Sequence, residues 1–403
     1  MRTTLVSLTA IIILAAASCI RPVPSHAVLP PAPPRAMAFD NFVPASDEAL
    51  HEGGIDPSMG LYVREDEDLI VADVFPLVLR RTYLSGDHVS RQFGVGGTHR
   101  GEWYLIGDSA AYQWAELILA DGGRVHFDRA SPGTSSADAR FEHRSSPTSF
   151  LDSQLERAGQ EWALRFTDGS VASFRRCNPN NTDRCSLVEI RAPDGRRIRY
   201  VRDGSGFLTR IQGPTREIAF EYDPRGRIVR AYDSPLHEVL YSYDDLGRLI
   251  RVVSSDGTVR AYTYNARHEM ITIDEPGWII NNTFDDAGRV VRQVTHLSSP
   301  ERVVTFEFAY TLVDGSIVQT DMTRNGRQTR STYDSGHYEL GETFDPDGPN
   351  PLSVTFDRHT ATNRITALTL RCVGPNGRVT RTVAATQETK DSIISQLARQ
   401  ECR

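Results

Sequence analysis

A chain of 403 residues, 39% hydrophobic and 24% charged, can bury a substantial core as two or three domains or as one long repeat array. Its formal net charge of -7 leaves no basic excess to hold a phosphate backbone, so nucleic acid is not an expected partner.

The chain starts with Arg2 and an apolar run from Leu5 to Ala17, followed by small residues and Cys19. This is the layout of a bacterial export signal, and the run is too short for a membrane span. Ala16-Ala17-Ser18-Cys19 resembles a lipoprotein cleavage box, with alanine where leucine is usual, and would make Cys19 a lipidated N-terminus. Ser25-His26-Ala27 is a small-x-small site for ordinary signal peptidase, so lipidation at Cys19 and free secretion both stand. Either way the expected location is outside the cytoplasm: an outer-membrane lipoprotein, or a periplasmic or secreted protein. Any membrane contact would be through the lipid alone. Pro22, Pro24, Pro30, Pro31, Pro33 and Pro34 then deny the chain helix and ladder donors, which predicts a stiff tether. Residues 1–27 are read as the signal, 28–50 as the tether and 51–190 as a β-rich pre-repeat region.

Within that region Glu65-Asp66-Glu67-Asp68 offers oxygen ligands for calcium. Adjacent acids in a strand point to opposite faces, and no loop glycine follows, so a solvated strand end is expected. Gly94-Val95-Gly96-Gly97-Thr98-His99 is glycine-rich but lacks a lysine and a following helix, which predicts a turn and not a phosphate cradle. Cys177, Cys185, Cys372 and Cys402 are an even set in an exported chain. Two disulfides are expected: Cys177–Cys185 clipping an Asn/Pro/Asp-rich loop, and Cys372–Cys402 tying down the C-terminus. The first pair is too widely spaced for a zinc knuckle.

The strongest signal is internal self-similarity. Phe220-Glu221-Tyr222-Asp223-Pro224-Arg225-Gly226-Arg227-Ile228 recurs as Tyr241-Ser242-Tyr243-Asp244-Asp245-Leu246-Gly247-Arg248-Leu249. Further copies are Tyr262-Thr263-Tyr264-Asn265-Ala266-Arg267-His268 and Thr283-Phe284-Asp285-Asp286-Ala287-Gly288-Arg289-Val290. The second aromatic, at Tyr222, Tyr243, Tyr264 and Phe284, advances by 21, 21 and 20 residues. Weaker copies lie at Tyr200–Leu208, around Tyr310, at Tyr333-Asp334 and at Phe356-Asp357. Asp first, Pro second and Gly fourth suit a type I turn, and Gly226, Gly247 and Gly288 permit the left-handed residue that ends it. His268 stands at that glycine position in its copy. Alternating apolar residues flank each turn, so each unit is a β-hairpin, and Asp194-Gly195 and Asp256-Gly257 supply turns between units.

These residues resemble the YD repeats of the RHS family. Upstream, Asp56-Pro57-Ser58-Met59-Gly60, Pro76–Ser85 with its Arg81-Thr82-Tyr83, and Phe93-Gly94-Val95-Gly96-Gly97 resemble DUF6531, the region that precedes such repeats, with Gly97 in place of a tryptophan. The resemblance implies a sheet spiralling into a shell, which in large members encloses a toxic C-terminal domain released by self-cleavage. Here Phe344-Asp345-Pro346-Asp347-Gly348-Pro349 lacks the upstream proline of the family's core motif and reads as a loop.

After residues 191–360, the repeat array, residues 361–403 form a cap. A helix is predicted from about Thr389 to Gln400, with Ile393, Ile394, Leu397 and Ala398 on one side, covering the last open sheet edge. No nucleophile, acid–base or metal constellation has a spacing above chance. The expectation is an all-β, antiparallel hairpin-repeat protein, a twisted sheet or partial shell with a short C-terminal helix, that is neither an enzyme nor a cofactor carrier. The repeat tyrosines are expected to pack between strands, with stacking on a cell-surface glycan as the sharper reading and an envelope protein as the other partner. A reduced toxin-delivery protein is the competing function.

Overall fold

The computed structural model describes residues 53–145, 148–175, 184–298 and 301–402. The signal, the tether, Cys19 and Cys177 lie outside them. Three units are built from one continuous core: a barrel, a hairpin array that grows out of it, and a plug that the array wraps.

The barrel comprises the strands Tyr104–Gly107, Trp114–Ile118, Arg124–Arg129, Arg140–Glu142, Gln154–Ala158, Glu161–Arg165, Val171–Arg175 and Cys185–Arg191. Each pairs antiparallel with the next, and Leu105 opposite Cys185 with Tyr104 opposite Ser186 closes the ring. Period-two alternation turns Leu105, Leu117, Phe127, Phe141, Leu164, Phe174 and Leu187 inward, all fully buried. A ring of eight strands has an interior that such side chains just fill. The strand Cys185–Arg191 does double duty. Its first residues close the barrel, and its last three pair with Arg197–Arg199, where the array begins.

From Arg197 to Ala384 every strand pairs antiparallel with its successor, an uninterrupted meander. The turns read from Asp194-Gly195 and Asp256-Gly257 are present: Gly195 N–H donates to the Ala192 carbonyl at 3.0 Å and Gly257 N–H to Ser254 at 2.9 Å. A long sheet buries one face only by curling, and this one curls round residues 53–102. Side chains and backbone of that plug meet the array from Arg202, which donates to Gly101, to His337, whose ring meets the Ser58 carbonyl. The far end returns to the barrel, where Asn363 Nδ2 donates to the Ser145 carbonyl at 3.2 Å. The architecture is therefore an all-β partial shell rather than an open sheet.

The C-terminus forms a second, smaller core. Ile394 on the helix Lys390–Glu401 packs with Val354, Phe356, Leu368 and Leu370 of the last strands, and Ile393 and Leu397 flank it. The helix thus lies over the face of the sheet, through the strand Ile365–Gly374. The expected cover of the open edge is corrected: an apolar helix stripe gains most by burying against the apolar sheet face, not beside a row of backbone polar groups. Lys390, the chain's one lysine, docks the helix foot, its ammonium 3.3 Å from Glu339 and over the Phe356 ring. At the other end Cys372 and Cys402 form a disulfide, Cα atoms 5.7 Å apart.

Closing a loop of this length removes about 3–4 kcal/mol of unfolded-state freedom. Cys372→Ser is therefore expected to cut the protection of the Ile365–Gly374 amides in native-state hydrogen exchange by about that amount, leaving the barrel amides unchanged. Equal protection in the variant would show that packing alone holds the cap.

Candidate functional site

The repeat motif is a set of braces between successive hairpins. In Tyr222-Asp223-Pro224-Arg225-Gly226-Arg227, one Asp223 oxygen accepts from the backbone N–H of Arg225 and Arg227, both at 2.9 Å, and the other from the Arg227 side chain at 2.7 Å. Asp244 with Arg248 and Asp285 with Arg289 repeat this. The carboxylate thereby fixes the turn and aims the arginine at the next repeat. Arg227 lies over the Tyr243 ring, Arg248 over Tyr264 and Arg289 over Tyr310, at 4.5, 5.3 and 5.5 Å from the centroids.

Each tyrosine reaches backwards. The hydroxyls of Tyr222, Tyr243, Tyr264 and Tyr310 donate to the carbonyls of Leu208, Ile228, Leu249 and Val290 at 2.6–2.7 Å. Burial pushes these phenols up, which keeps them protonated donors. Phe284 has no hydroxyl, and there Asn282 Nδ2 takes over, donating to the Met270 carbonyl at 3.1 Å. His268 adopts φ 65°, beside 83° at Gly247, as its place in the repeat predicts. The motif residues singled out in the sequence, Tyr222, Asp223, Gly226, Tyr243, Asp244, Gly247, Tyr264, Phe284, Asp285 and Gly288, are thus engaged in holding repeats together. The tyrosine hydroxyls are bonded to backbone carbonyls, and Arg227 and Arg248 lie over the Tyr243 and Tyr264 rings.

The same turns build the seam with the plug. Where the strand register slips at Glu221/Tyr222, Thr263/Tyr264 and Thr283/Phe284, the residue after the turn turns its N–H out of the ladder. Ile228 N–H then donates to the Gln92 carbonyl at 2.7 Å, Met270 N–H to the Tyr83 hydroxyl at 3.0 Å, and Val290 N–H to the Gly60 carbonyl at 2.8 Å. Val95 N–H completes the series on the Gly247 carbonyl at 3.1 Å. Gly94, φ 84°, permits this approach, because a Cβ there would lie 2.5 Å from the Gly247 oxygen. At Gly97 a Cβ would lie 2.4 Å from the Phe93 carbonyl, so the tight turn leaves no room for a larger residue.

Beneath the seam lies a buried ion cluster. Arg81, 1% exposed, donates to Asp68 at 2.8 Å, to Asp66 at 2.7 Å and to the Tyr262 hydroxyl at 3.0 Å. Arg64 binds Asp66 and Glu275, Arg260 binds Asp68 at 2.6 Å, and the Tyr241 hydroxyl donates to Asp68 at 3.1 Å. Burial alone would raise the Asp66 carboxyl, but the Arg64 and Arg81 guanidiniums outweigh it and hold the group well below the usual carboxylate range. The reading of Glu65–Asp68 as a solvated strand end is corrected here. Alternation does send Asp66 and Asp68 to one face, but that face is covered by the array, and the plug's own Arg64 and Arg81 with the array's Arg260 compensate the charge while Tyr241 and Tyr262 add hydrogen bonds. Among the described residues no cluster of three or more His, Cys, Asp or Glu side chains could hold a metal ion.

Of the four expected disulfide cysteines, Cys372 and Cys402 are joined, Cys185 is buried on the barrel-closing strand, and Cys177 lies outside the described residues. Sequence reasoning missed Asp121, a buried carboxylate in the barrel turn beside the plug, whose Oδ1 accepts from Gly123 N–H at 2.9 Å. Burial, with Glu65 and Asp56 nearby, raises it to about 7. No residue-type pattern marks it, since only the docked plug removes it from water.

Two outcomes are expected. Tyr264→Phe strips the Leu249 carbonyl of its donor and should lower stability by about 1–2 kcal/mol, read as a smaller denaturant midpoint at unchanged slope. An effect below the error of that measurement would leave the hydroxyl brace without weight. For Asp121 the unfolded carboxyl titrates near 3.8 and the folded one near 7, so the folded chain binds the extra proton in between and this group lowers stability as pH rises across that window. Asp121→Asn should match the parent at about pH 4 and exceed it at pH 8, on the order of 2 kcal/mol. His99, lowered by burial to about 4, works in the opposite sense in both proteins and cancels in the comparison.

Two family models match: residues 52–127 fit "Domain of unknown function (DUF6531)" and residues 243–277 fit "RHS Repeat". No curated protein matches the sequence. Among solved structures, a TcdB2-TccC3-Cdc42 crystal structure aligns at 12% identity over 79% of this chain and 20% of that chain, TM-score 0.30. A Photorhabdus luminescens Tc holotoxin pore aligns at 12% identity over 80% of this chain and 24% of that one, TM-score 0.27. The chain thus spans about a fifth to a quarter of the length of these structures. The matched segments are the plug with the first barrel strands, and the stretch that holds the Asp244–Arg248–Tyr264 brace and the Met270 N–H that meets the plug; the chain thus carries an RHS repeat and a DUF6531 region.

Proposed function

We propose that this chain is an exported, non-catalytic scaffold of the bacterial envelope that presents its outer face to a surface glycan or an envelope protein. The observation that carries this reading is the filled interior. The inner face of the array, where a larger shell would enclose cargo, is occupied by the chain's own Tyr62, Tyr83, Phe93 and Arg81. The C-terminal segment also supports it, because residues 361–402 continue the sheet and share a core with Val354 and Phe356 instead of standing apart from it. The segment preceding the plug supports export through its apolar run and Cys19 or Ala27 cleavage site.

The test is expression of the full chain in a Gram-negative host, with fractionation, fatty-acid labelling of the parent and of Cys19→Ser, and growth curves. Expected is a processed chain in the envelope or medium, intact at its C-terminus and without effect on growth, labelled with lipid only in the parent if Cys19 is the anchor. A chain retained in the cytoplasm would sink the envelope reading. Growth arrest with release of a C-terminal fragment would replace it by toxin delivery.

A further inference from the structure

The strand Gly377–Ala384 is the last of the array. It pairs with Ile365–Gly374 on one side and, among the described residues, with no strand on the other. Its ladder runs through eight consecutive pairs, from Ala367 opposite Ala384 to Gly374 opposite Gly377, without the register slip that accompanies the repeat turns. The strand holds no proline, and the helix Lys390–Glu401 lies over the sheet face and not along this edge. Bulges, prolines and covering helices are the usual means of closing an edge against further pairing. This strand has none of them, and its edge is straight and open.

The ladder also decides which groups point outward. Ala385 N–H donates to the Thr366 carbonyl at 3.2 Å, and the turn at Pro375-Asn376 closes on Gly374 opposite Gly377. The odd-numbered residues therefore bond to Ile365–Gly374. Arg378, Thr380, Thr382 and Ala384 turn their N–H and C=O groups to the open side, as antiparallel alternation requires. The side chains fit a second copy of the same strand. Laid antiparallel about a two-fold axis at Thr380, Arg378 meets Thr382 of the second copy, Thr380 meets its own equivalent, and Arg381 meets Val379. No like charges face each other in that register. An axis at Arg381 would set two guanidiniums together, and one at Thr382 would pair fewer residues. Arg381 is already matched within its own chain by Glu401 at 3.0 Å. Threonine pairs of the kind the axis creates join strands here as well: the Thr369 and Thr382 hydroxyls, opposite in the ladder, are 2.8 Å apart.

We propose that the open edge of Gly377–Ala384 is a self-association site, at which two copies of this chain join these strands antiparallel about Thr380 and run their sheets into one. The pairing is a property of the purified chain and does not depend on the scaffold reading or on export. The test is sedimentation equilibrium of the full chain between about 1 and about 500 µM. Expected is a reversible equilibrium between monomer and dimer. Thr380→Pro removes an N–H that the chain's own ladder does not use, so the fold should hold while the dimer's dissociation constant rises about tenfold or more. Thr355→Lys, on the outer face two strands in from the edge, should change that constant by less than about twofold. Thr380→Cys would place two thiols on residues about 5.5 Å apart at Cα, a span that a disulfide bridges, and should yield a covalent dimer on a non-reducing gel. Circular dichroism checks that the variants are folded; if Thr380→Pro is not, Thr380→Lys, which sets two ammonium groups face to face across the axis, replaces it. A parent that stays monomeric at the highest concentration, or a dimer that survives the Thr380 substitution unchanged, would overturn the proposal.

Discussion

A curled hairpin array has an inner face that it cannot cover by itself, and everything else in this molecule follows from how that face is covered. The plug hairpin, residues 61–84, supplies apolar side chains, but its central contact is ionic: Arg64, Asp66, Asp68 and Arg81 against Arg260, Glu275, Tyr241 and Tyr262. Such a cluster is costly to desolvate and tolerates only one alignment, since any slip leaves a buried charge unpaired. It contributes registration as much as stability. The strand Leu61–Val71 must meet the array at the repeats that carry Tyr241, Tyr262 and Glu275, which sets where the shell starts to wrap.

The repeat motif is the second half of that arrangement. One Asp holds its turn and its arginine, the arginine covers the next tyrosine, and the tyrosine hydroxyl returns to the previous hairpin's backbone. Because each brace spans neighbouring units only, the array can be extended without redesign, as nearest-neighbour stabilisation in repeat proteins requires. The strand slip that accompanies each turn frees a backbone N–H on the inner side, and the plug answers it at Gln92, Tyr83 and Gly60. Chemistry that would look like recognition in a list of exposed tyrosines is consumed in assembly.

Much of this was legible in the residues. The 21-residue step, the Asp/Gly turn chemistry and the period-two flanks determine hairpins, their order and even the left-handed backbone of His268, because turn geometry and strand alternation are local. The C-terminal helix and the Cys372–Cys402 bridge were equally local in their signals. The sequence could not by itself determine that Asp66 and Asp68 are buried, that Asp121 is held out of water, that the helix lies on a face and not along an edge, or that the repeat tyrosines are spoken for. Those properties depend on which surfaces residues far apart in the chain cover, as in the pairing of Arg81 with Tyr262. Burial and the fate of charge are decided by tertiary contact, and only the folded shell could decide them.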